Sequence, residues 1–401
     1  MRGGRFRRKS VTSQPAPPAS GRPRGAPDHT TVMATVVSVR LFLSGPDGTT
    51  RADGAEQQFA TRADAVRAAR GRSAVVGAFA FEPDGPAALS IPQTLVRDNQ
   101  VTPGRPPLNH RVTLTGYRPD GVGHRARVAA VRDLIADGAA DKVVLARAIE
   151  LRTDAPVDAE ALTAALAGGN AHHNAFCVDL SAAGAHYRDR LLIGASPELL
   201  VAKRGDRVYA HPYAGSAPRS PDPAADDAAA QALSSSAKDH AEHRFVVDYL
   251  RDALAPFCTD VQAPDQPLLL PTGELWHLAT PIVGILSDPS ITSLELALAL
   301  HPTPAICGTP TDKAASIIAE VEGRRGFYSG AVGYNMADGD GDWMVAIRCA
   351  ELSADRRTLL AHAGGGIVAQ SDPDAELAET TTKFATILRA LTGSSDIPER
   401  A

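Results

Sequence analysis

Two acidic pairs stand far apart in the chain: Asp239 with Glu242 in K-D-H-A-E-H, and Glu376 with Glu379 in D-A-E-L-A-E-T-T-T-K. Each pair is spaced i,i+3 in a stretch of helical character, which puts both carboxylates on one helical face. Like charges at that spacing repel, so helix propensity gives no reason for them. A divalent cation does. Hard oxygen donors suit Mg²⁺, which is held by one or two carboxylates plus water and substrate rather than by a closed protein cage. The competing reading is two solvated faces of surface helices.

Other segments carry polar groups where apolar sequence surrounds them. Lys142 opens the run D-K-V-V-L-A-R. It is either a solvated strand end or, if desolvated, an amine able to act as a general base near neutrality. Glu198 lies between two apolar runs in A-S-P-E-L-L. It is either an exposed bend or a buried acid with a raised pKa, which is what a general acid requires. H-P-Y-A-G-S-A (211–217) offers backbone amides beside a hydroxyl, an anion cradle or a plain turn. The run A-G-G-G-I (363–367) is free of side chains where a ligand needs close backbone approach. Arg348, inside V-A-I-R-C-A, must be paired, with a planar carboxylate its natural partner or a structural salt bridge the alternative. G-x-x-x-x-G-K-[ST], G-x-G-x-x-G in a strand-to-helix context, H-E-x-x-H and G-x-S-x-G are all absent, and His172-His173 has no third ligand at useful spacing.

The elements that must position these groups mix two periodicities. Strands are expected at 35–43, 74–81, 111–117, 143–151, 174–180, 191–195, 199–203, 207–210, 327–335, 343–352 and 358–363. Helices are expected near 124–137, 158–167, 224–255, 292–300, 311–321 and 374–391. Strands follow one another as hairpins, with turns at R-G-D and D-G-D-G, which favours an α+β layered architecture over a doubly wound parallel sheet. The stretch 216–227 has a linker's composition and reads as a surface loop within one large domain.

Composition bounds the function classes. The 401 residues carry a net charge of −5, and residues 1–32 alone carry +6, leaving a mildly acidic body at −11. Such a body has no basic stripe for nucleic acid. No apolar run approaches the roughly 20 residues of a membrane helix. Residues 1–32, rich in Arg, Pro, Ser and Gly, are expected to be disordered, and Met33 offers an alternative translation start. Residues 33–393 are expected to form the catalytic domain, with 394–401 as a tail. Four scattered cysteines (Cys177, Cys258, Cys307, Cys349) suggest buried reduced thiols in a cytosolic protein.

Taken in order from 141 to 383, D-K-V-V-L-A-R, A-S-P-E-L-L, H-P-Y-A-G-S-A, K-D-H-A-E-H, W-H-L-A-T-P, H-P-T-P-A-I-C-G-T-P, A-I-R-C-A-E-L, A-G-G-G-I-V and E-L-A-E-T-T-T-K resemble the chorismate-binding enzymes. That family includes the isochorismate, salicylate, anthranilate and aminodeoxychorismate synthases. The resemblance implies one α+β domain of two stacked, mainly antiparallel sheets covered by helices. It implies Lys142 as the base that activates water and Glu198 as the acid that protonates the departing hydroxyl. It implies Mg²⁺ held by Glu242 and Glu379 with Asp239 and Glu376 in support. Substrate contacts are implied for Gly215, Ser216, His277, Ala279, Thr280, Arg348, Gly364, Gly365 and Lys383. H-L-A-T-P and H-P-T-P-A look more like the isochorismate-forming branch than the salicylate-forming one. Lys142 together with Ala214 looks unlike the ammonia-using branch, so no glutaminase subunit is expected. The expectation is a monomeric cytoplasmic enzyme that makes isochorismate for siderophore or menaquinone biosynthesis, with no nucleic-acid or membrane partner.

Overall fold

Runs such as V-V-G-A-F (75–79) and L-L-I-G (191–194) leave no polar face, so strands built from them must be covered on both sides. The computed structural model, which describes residues 39–170, 172–271 and 275–400, meets that demand by stacking two antiparallel sheets and covering their outer faces with helices. The basic segment 1–32 and Met33 lie outside the described residues, as does the start of the strand expected at 35–43.

The larger sheet runs Gly308–Thr309, Lys142–Thr153, Thr358–Ile367, Cys349–Leu352, Leu191–Gly194, Ala175–Asp179, Val39–Gly45, Gly48–Asp53 and Thr94–Asp98, with Val112–Arg118 also paired to Lys142–Thr153. The second runs Cys258–Gln262, Ile282–Leu286, Arg207–His211, Leu199–Arg204, Gly341–Val345, Ala331–Asn335, Val75–Phe79, Ala87–Ile91 and Gln57–Phe59. Between them Leu41, Phe176 and Val178 of one sheet meet Val76, Val332, Tyr334 and Met344 of the other. The two-residue period sends the neighbours of Met344 the opposite way. Trp343 and Val345 pack outward with residues of helices Ala237–Leu254 and Ser293–Leu300. The outer face of the larger sheet is covered by Ala159–Gly168 and Pro373–Thr392. The α+β architecture expected from the hairpin-rich sequence is the one found.

The apolar stretch 343–352 is two strands rather than one. Gly341–Val345 belongs to the second sheet and Cys349–Leu352 to the first, and the chain crosses between them at 346–348 with Arg348 at φ 51. Hydrophobicity is continuous across the break because both sides are buried, so periodicity alone does not reveal it. Leu191–Gly194 and Leu199–Arg204 repeat the crossing at 195–198. The two crossings brace each other: the Ala195 amide donates to the Arg348 carbonyl at 3.1 Å, and the Val345 amide to the Glu198 carbonyl at 3.1 Å.

The helix expected over 224–255 is also divided, into Pro223–Ser235 and Ala237–Leu254. Ser236 accounts for the break, since it has extended backbone and its hydroxyl accepts the Asp239 amide, an N-cap that starts a new helix. The expected surface loop at 216–227 shrinks accordingly, because Tyr213–Pro218 is a strand and Asp222 already caps a helix. A third small sheet, Tyr213–Pro218, Leu275–Ala279 and Leu268–Pro271, was not anticipated. Gly215, at φ +77, sits where its register shifts. At the C-terminus, Ile397 packs on the outer core of the larger sheet and Arg400 bridges Leu114. All four cysteines are free, and no helix among the described residues is long and apolar enough to cross a membrane.

Candidate active site

A strand that leaves its sheet inside the protein directs polar groups into the gap, and here two such crossings face one strand end and two acidic helices. Lys142 begins Lys142–Thr153; Glu198 and Arg348 occupy the two crossings; Asp239 and Glu242 lie in the first turns of Ala237–Leu254; Glu376, Glu379 and Lys383 lie along Pro373–Thr392. All eight line one cavity of about 290 Å³, together with Gly215, Ser216, His277, Gly364 and Gly365. Residues spread over 242 positions of sequence therefore share one chamber, from Lys142 to Lys383.

Two of the expected contacts do not reach it. Ala279 and Thr280 are buried behind the cavity wall, Ala279 opposite Tyr213 in the small sheet. The Thr280 hydroxyl is engaged by His243 Nε2 at 2.7 Å, and His243 Nδ1 meets the Ala214 carbonyl at 3.2 Å. These residues fasten the acidic helix to the small sheet instead of facing a ligand.

Burial sets the electrostatics. Glu198 is 3% exposed, and burial pushes its carboxyl up to about 8 against the opposing pull of Lys142 and Arg348. At neutral pH it is a protonated donor. Lys142, equally buried, donates from Nζ to Glu242 Oε1 at 2.5 Å. Burial pushes the Glu242 carboxyl up, but the Lys142 ammonium, with Lys238 and Lys383 adding to it, holds it below its ordinary value. His277 is kept neutral by burial, reinforced by Arg348 and Lys383, and its Nε2 has no hydrogen-bond partner among the described residues. A neutral imidazole edge at the cavity wall is a ready partner for a substrate hydroxyl or carboxylate.

The glycine run explains itself in this setting. Gly364, Gly365 and Gly366 lie opposite Ala146, Leu145 and Val144. A Cβ on Gly364 would stand 2.8 Å from the Tyr328 hydroxyl and 3.0 Å from the Leu145 carbonyl oxygen. On Gly365 it would meet Glu376 Oε2 at 2.9 Å, and on Gly366 the Lys142 side chain at 2.7 Å and Glu242 Oε1 at 3.1 Å. Side chains of the chamber wall, with the Leu145 carbonyl, fill the space a Cβ would need. Gly364→Ala should therefore cut kcat/KM by about 10²-fold through misplacement of neighbouring groups. Steady-state kinetics alongside an unchanged circular dichroism spectrum check this.

The same glycines mark where carboxylates converge. Glu242, Glu376 and Glu379 all approach the 365–366 backbone, whereas Asp239 stands apart against Gly215. Glu379 accepts from Lys383 Nζ at 2.5 Å, and that ammonium also donates to the Gly364 carbonyl at 2.7 Å. Glu376 Oε1 accepts from Ser371, but its Oε2 is buried with no partner among the described residues. Burial, then the neighbouring Glu379 charge, push the Glu376 carboxyl up to about 7. An orphaned buried carboxylate oxygen beside two further carboxylates fits a hard divalent cation. Among the described residues no group of three or more His, Cys, Asp or Glu is arranged to hold a metal by itself, so such a cation would depend on water or substrate for the rest of its shell.

Several wall residues escaped the sequence reading: Tyr213, Lys238, Tyr328, Ser329 and His362. Lys238 was within reach, being one residue from Asp239 in the same motif. Tyr328 and His362 stack across sequence, 4.9 Å between centroids and 15° between planes, a contact that no spacing announces.

Comparison with known proteins agrees with this arrangement. Residues 88–392 match the family described as chorismate binding enzyme. A protein of Mycobacterium tuberculosis named putative isochorismate synthase MenF is 50% identical over 353 residues, covering 87% of this chain and 95% of its own length. Isochorismate synthase EntC of Escherichia coli is 37% identical over 321 residues, 78% of this chain and 80% of its own. The crystal structure of a putative 2,3-dihydroxybenzoate-specific isochorismate synthase, DhbC from Bacillus anthracis, superposes with a TM-score of 0.80 at 36% identity, covering 88% of this chain and 96% of that one. A family match spanning most of the chain, with relatives this similar along 80–96% of their own lengths, places the protein among the chorismate-binding enzymes.

Proposed function

We propose that the protein is an isochorismate synthase, converting chorismate to isochorismate with Mg²⁺ as cofactor. The observation that carries this reading is the pairing, in one chamber, of an acid kept protonated to about pH 8, Glu198, with a buried amine, Lys142. Isomerisation of this kind requires a proton taken from water and a proton given to a leaving hydroxyl, with no net redox change.

Lys142 accepts the proton of the water that attacks C2 of the ring. Both ring double bonds shift by one position, C1=C2 to C1=C6 and C5=C6 to C4=C5, the C4–O bond breaks, and Glu198 donates its proton so that the hydroxyl departs as water. Lys142 serves as a base only as the free amine, so its ion pair with Glu242 belongs to the resting arrangement. Chorismate carries two carboxylates, and Arg348, Lys383 and the Gly364–Gly365 backbone supply the charge and close approach to hold one of them. His277, Gly215 and Ser216 close the neighbouring wall as neutral hydrogen-bonding groups. Glu242 and Glu379, supported by Glu376 and Asp239, are the residues to hold Mg²⁺. When bound, the ion neutralises the ring carboxylate and fixes its position.

With water rather than ammonia as the nucleophile no glutaminase subunit is needed, and the reading is completed by a single-chain cytoplasmic enzyme whose product feeds siderophore or menaquinone biosynthesis. Isotope labelling tests the chemistry. In H₂¹⁸O, the isochorismate formed at early times should carry one ¹⁸O, located at C2 by mass spectrometry of fragments. Product with no label would mean the hydroxyl migrates within the ring and would overturn the assigned roles.

A further inference from the structure

Behind the Tyr328–His362 stack lies a second cavity of about 780 Å³, which shares those two residues with the catalytic one. Its wall contains Arg118, Arg127, Arg147, Arg190, Arg324 and Arg325 against three glutamates, Glu150, Glu322 and Glu351. In a chain of net charge −5 this is a local excess of three positive charges.

Internal pairing does not absorb that excess. Arg325 is matched by Glu322 at 2.9 Å and Arg118 by Glu150 at 2.7 Å. Arg324 reaches Asp84 at 3.1 Å, but both side chains are largely exposed, where an ion pair is screened by water. Arg190 stands 3.9 Å from Glu351, too far for a hydrogen bond. Arg127 and Arg147 have no carboxylate within ion-pair distance among the described residues. Arg147 is 3% exposed, and its guanidinium donates to the Thr380 and Thr381 hydroxyls and the Leu377 carbonyl, neutral acceptors all. That guanidinium also lies over the Phe384 ring, 5.1 Å from its centroid, so Arg147 is held by the helix Pro373–Thr392, and Arg127, with neither carboxylate nor hydrogen-bond partner among the described residues, is the charge left to the cavity.

We propose that this cavity is a second anion-binding site, built for a small molecule bearing two or more carboxylate or phosphate groups. Guanidinium forks match both oxyanions in bidentate geometry, and the excess of charge calls for more than one anionic group. The Tyr328–His362 wall then brings the ligand next to the catalytic chamber without entering it.

Calorimetric titration of the full chain with citrate and, separately, with inorganic pyrophosphate tests this at low ionic strength. Saturable binding of either anion is expected, weakening as salt is added. Binding of citrate alone would mark a carboxylate site and of pyrophosphate alone a phosphate site, and both outcomes support the proposal. The double variant Arg127→Gln/Arg190→Gln should weaken binding by about tenfold or more, while Arg348→Ala, in the catalytic chamber, should leave it in place. Arg118→Glu reverses a charge on an exposed side chain, leaves the core untouched and should weaken binding likewise. No saturable binding of either anion below about 10 mM overturns the proposal. Binding lost in Arg348→Ala but kept in the other variants also overturns it, since the anion would then belong to the catalytic chamber.

Discussion

Replacing Glu198 by glutamine should lower kcat by about 10²–10⁴-fold while leaving KM for chorismate within a few-fold of the parent. The amide keeps the shape and the hydrogen-bonding edge of the acid but has no proton to transfer. The parent enzyme should show the matching pH dependence. Because burial raises the Glu198 carboxyl to about 8, the acid form dominates below that pH, and kcat should fall as pH rises through it. Stability carries a second signature of the same group. The folded value lies above the ordinary 4.5, so the contribution of Glu198 to stability is fully present below about 4.5 and is lost as pH climbs through about 8. Glutamine has nothing to ionise. Thermal melts of Glu198→Gln should therefore lose less stability than the parent between pH 5 and pH 9, an outcome that a merely structural glutamate on the surface would not produce. A variant with near-parental kcat would remove Glu198 from the acid role.

Lys142→Ala should abolish turnover to a similar extent, about 10²–10⁴-fold, by removing the base. It should also destabilise the fold, because Glu242 loses the ammonium that offsets its burial. Breaking a buried pair from one side costs about 3–5 kcal/mol at most in such a setting, and less here because water reaches part of Glu242. Lys142→Arg separates the two effects. A guanidinium retains a positive partner for Glu242 but stays charged, so it cannot accept a proton. The arginine variant should recover much of the lost melting temperature with no recovery of kcat, measured by thermal denaturation and by product formation on one preparation. Recovery of turnover by arginine would show that Lys142 acts through its charge and not as a base.

Much of this chamber was legible because its chemistry sits in local motifs. Lys142, Glu198, Arg348 and the two acidic pairs are each polar groups that their surroundings do not explain, and the structure brings all of them together. The glycine run reads as backbone approach, and the structure adds that the Cβ positions of Gly365 and Gly366 are crowded by Glu376, Lys142 and Glu242 of the same chamber. What local pattern cannot supply is a change of sheet. The run 343–352 is apolar throughout because both sheets are buried, so the crossing at Arg348 looks like the middle of a strand. The division at Ser236 was masked by alanines on either side, which favour helix whichever way the chain turns. Thr280 shows the converse: tertiary packing commits its hydroxyl to His243, so it does not line the chamber. Tyr328, in the turn before Ala331–Asn335, meets His362 of Thr358–Ile367 only through tertiary packing and so left no sequence signal.

On the proposed reading this chamber adds water to chorismate and stops at isochorismate. The most direct measurement is to incubate the purified chain with chorismate and Mg²⁺, without glutamine or ammonia, and separate the products by chromatography. Isochorismate with no accompanying pyruvate is the predicted result. Salicylate with equimolar pyruvate, or no turnover until ammonia yields an aminated ring, would contradict it.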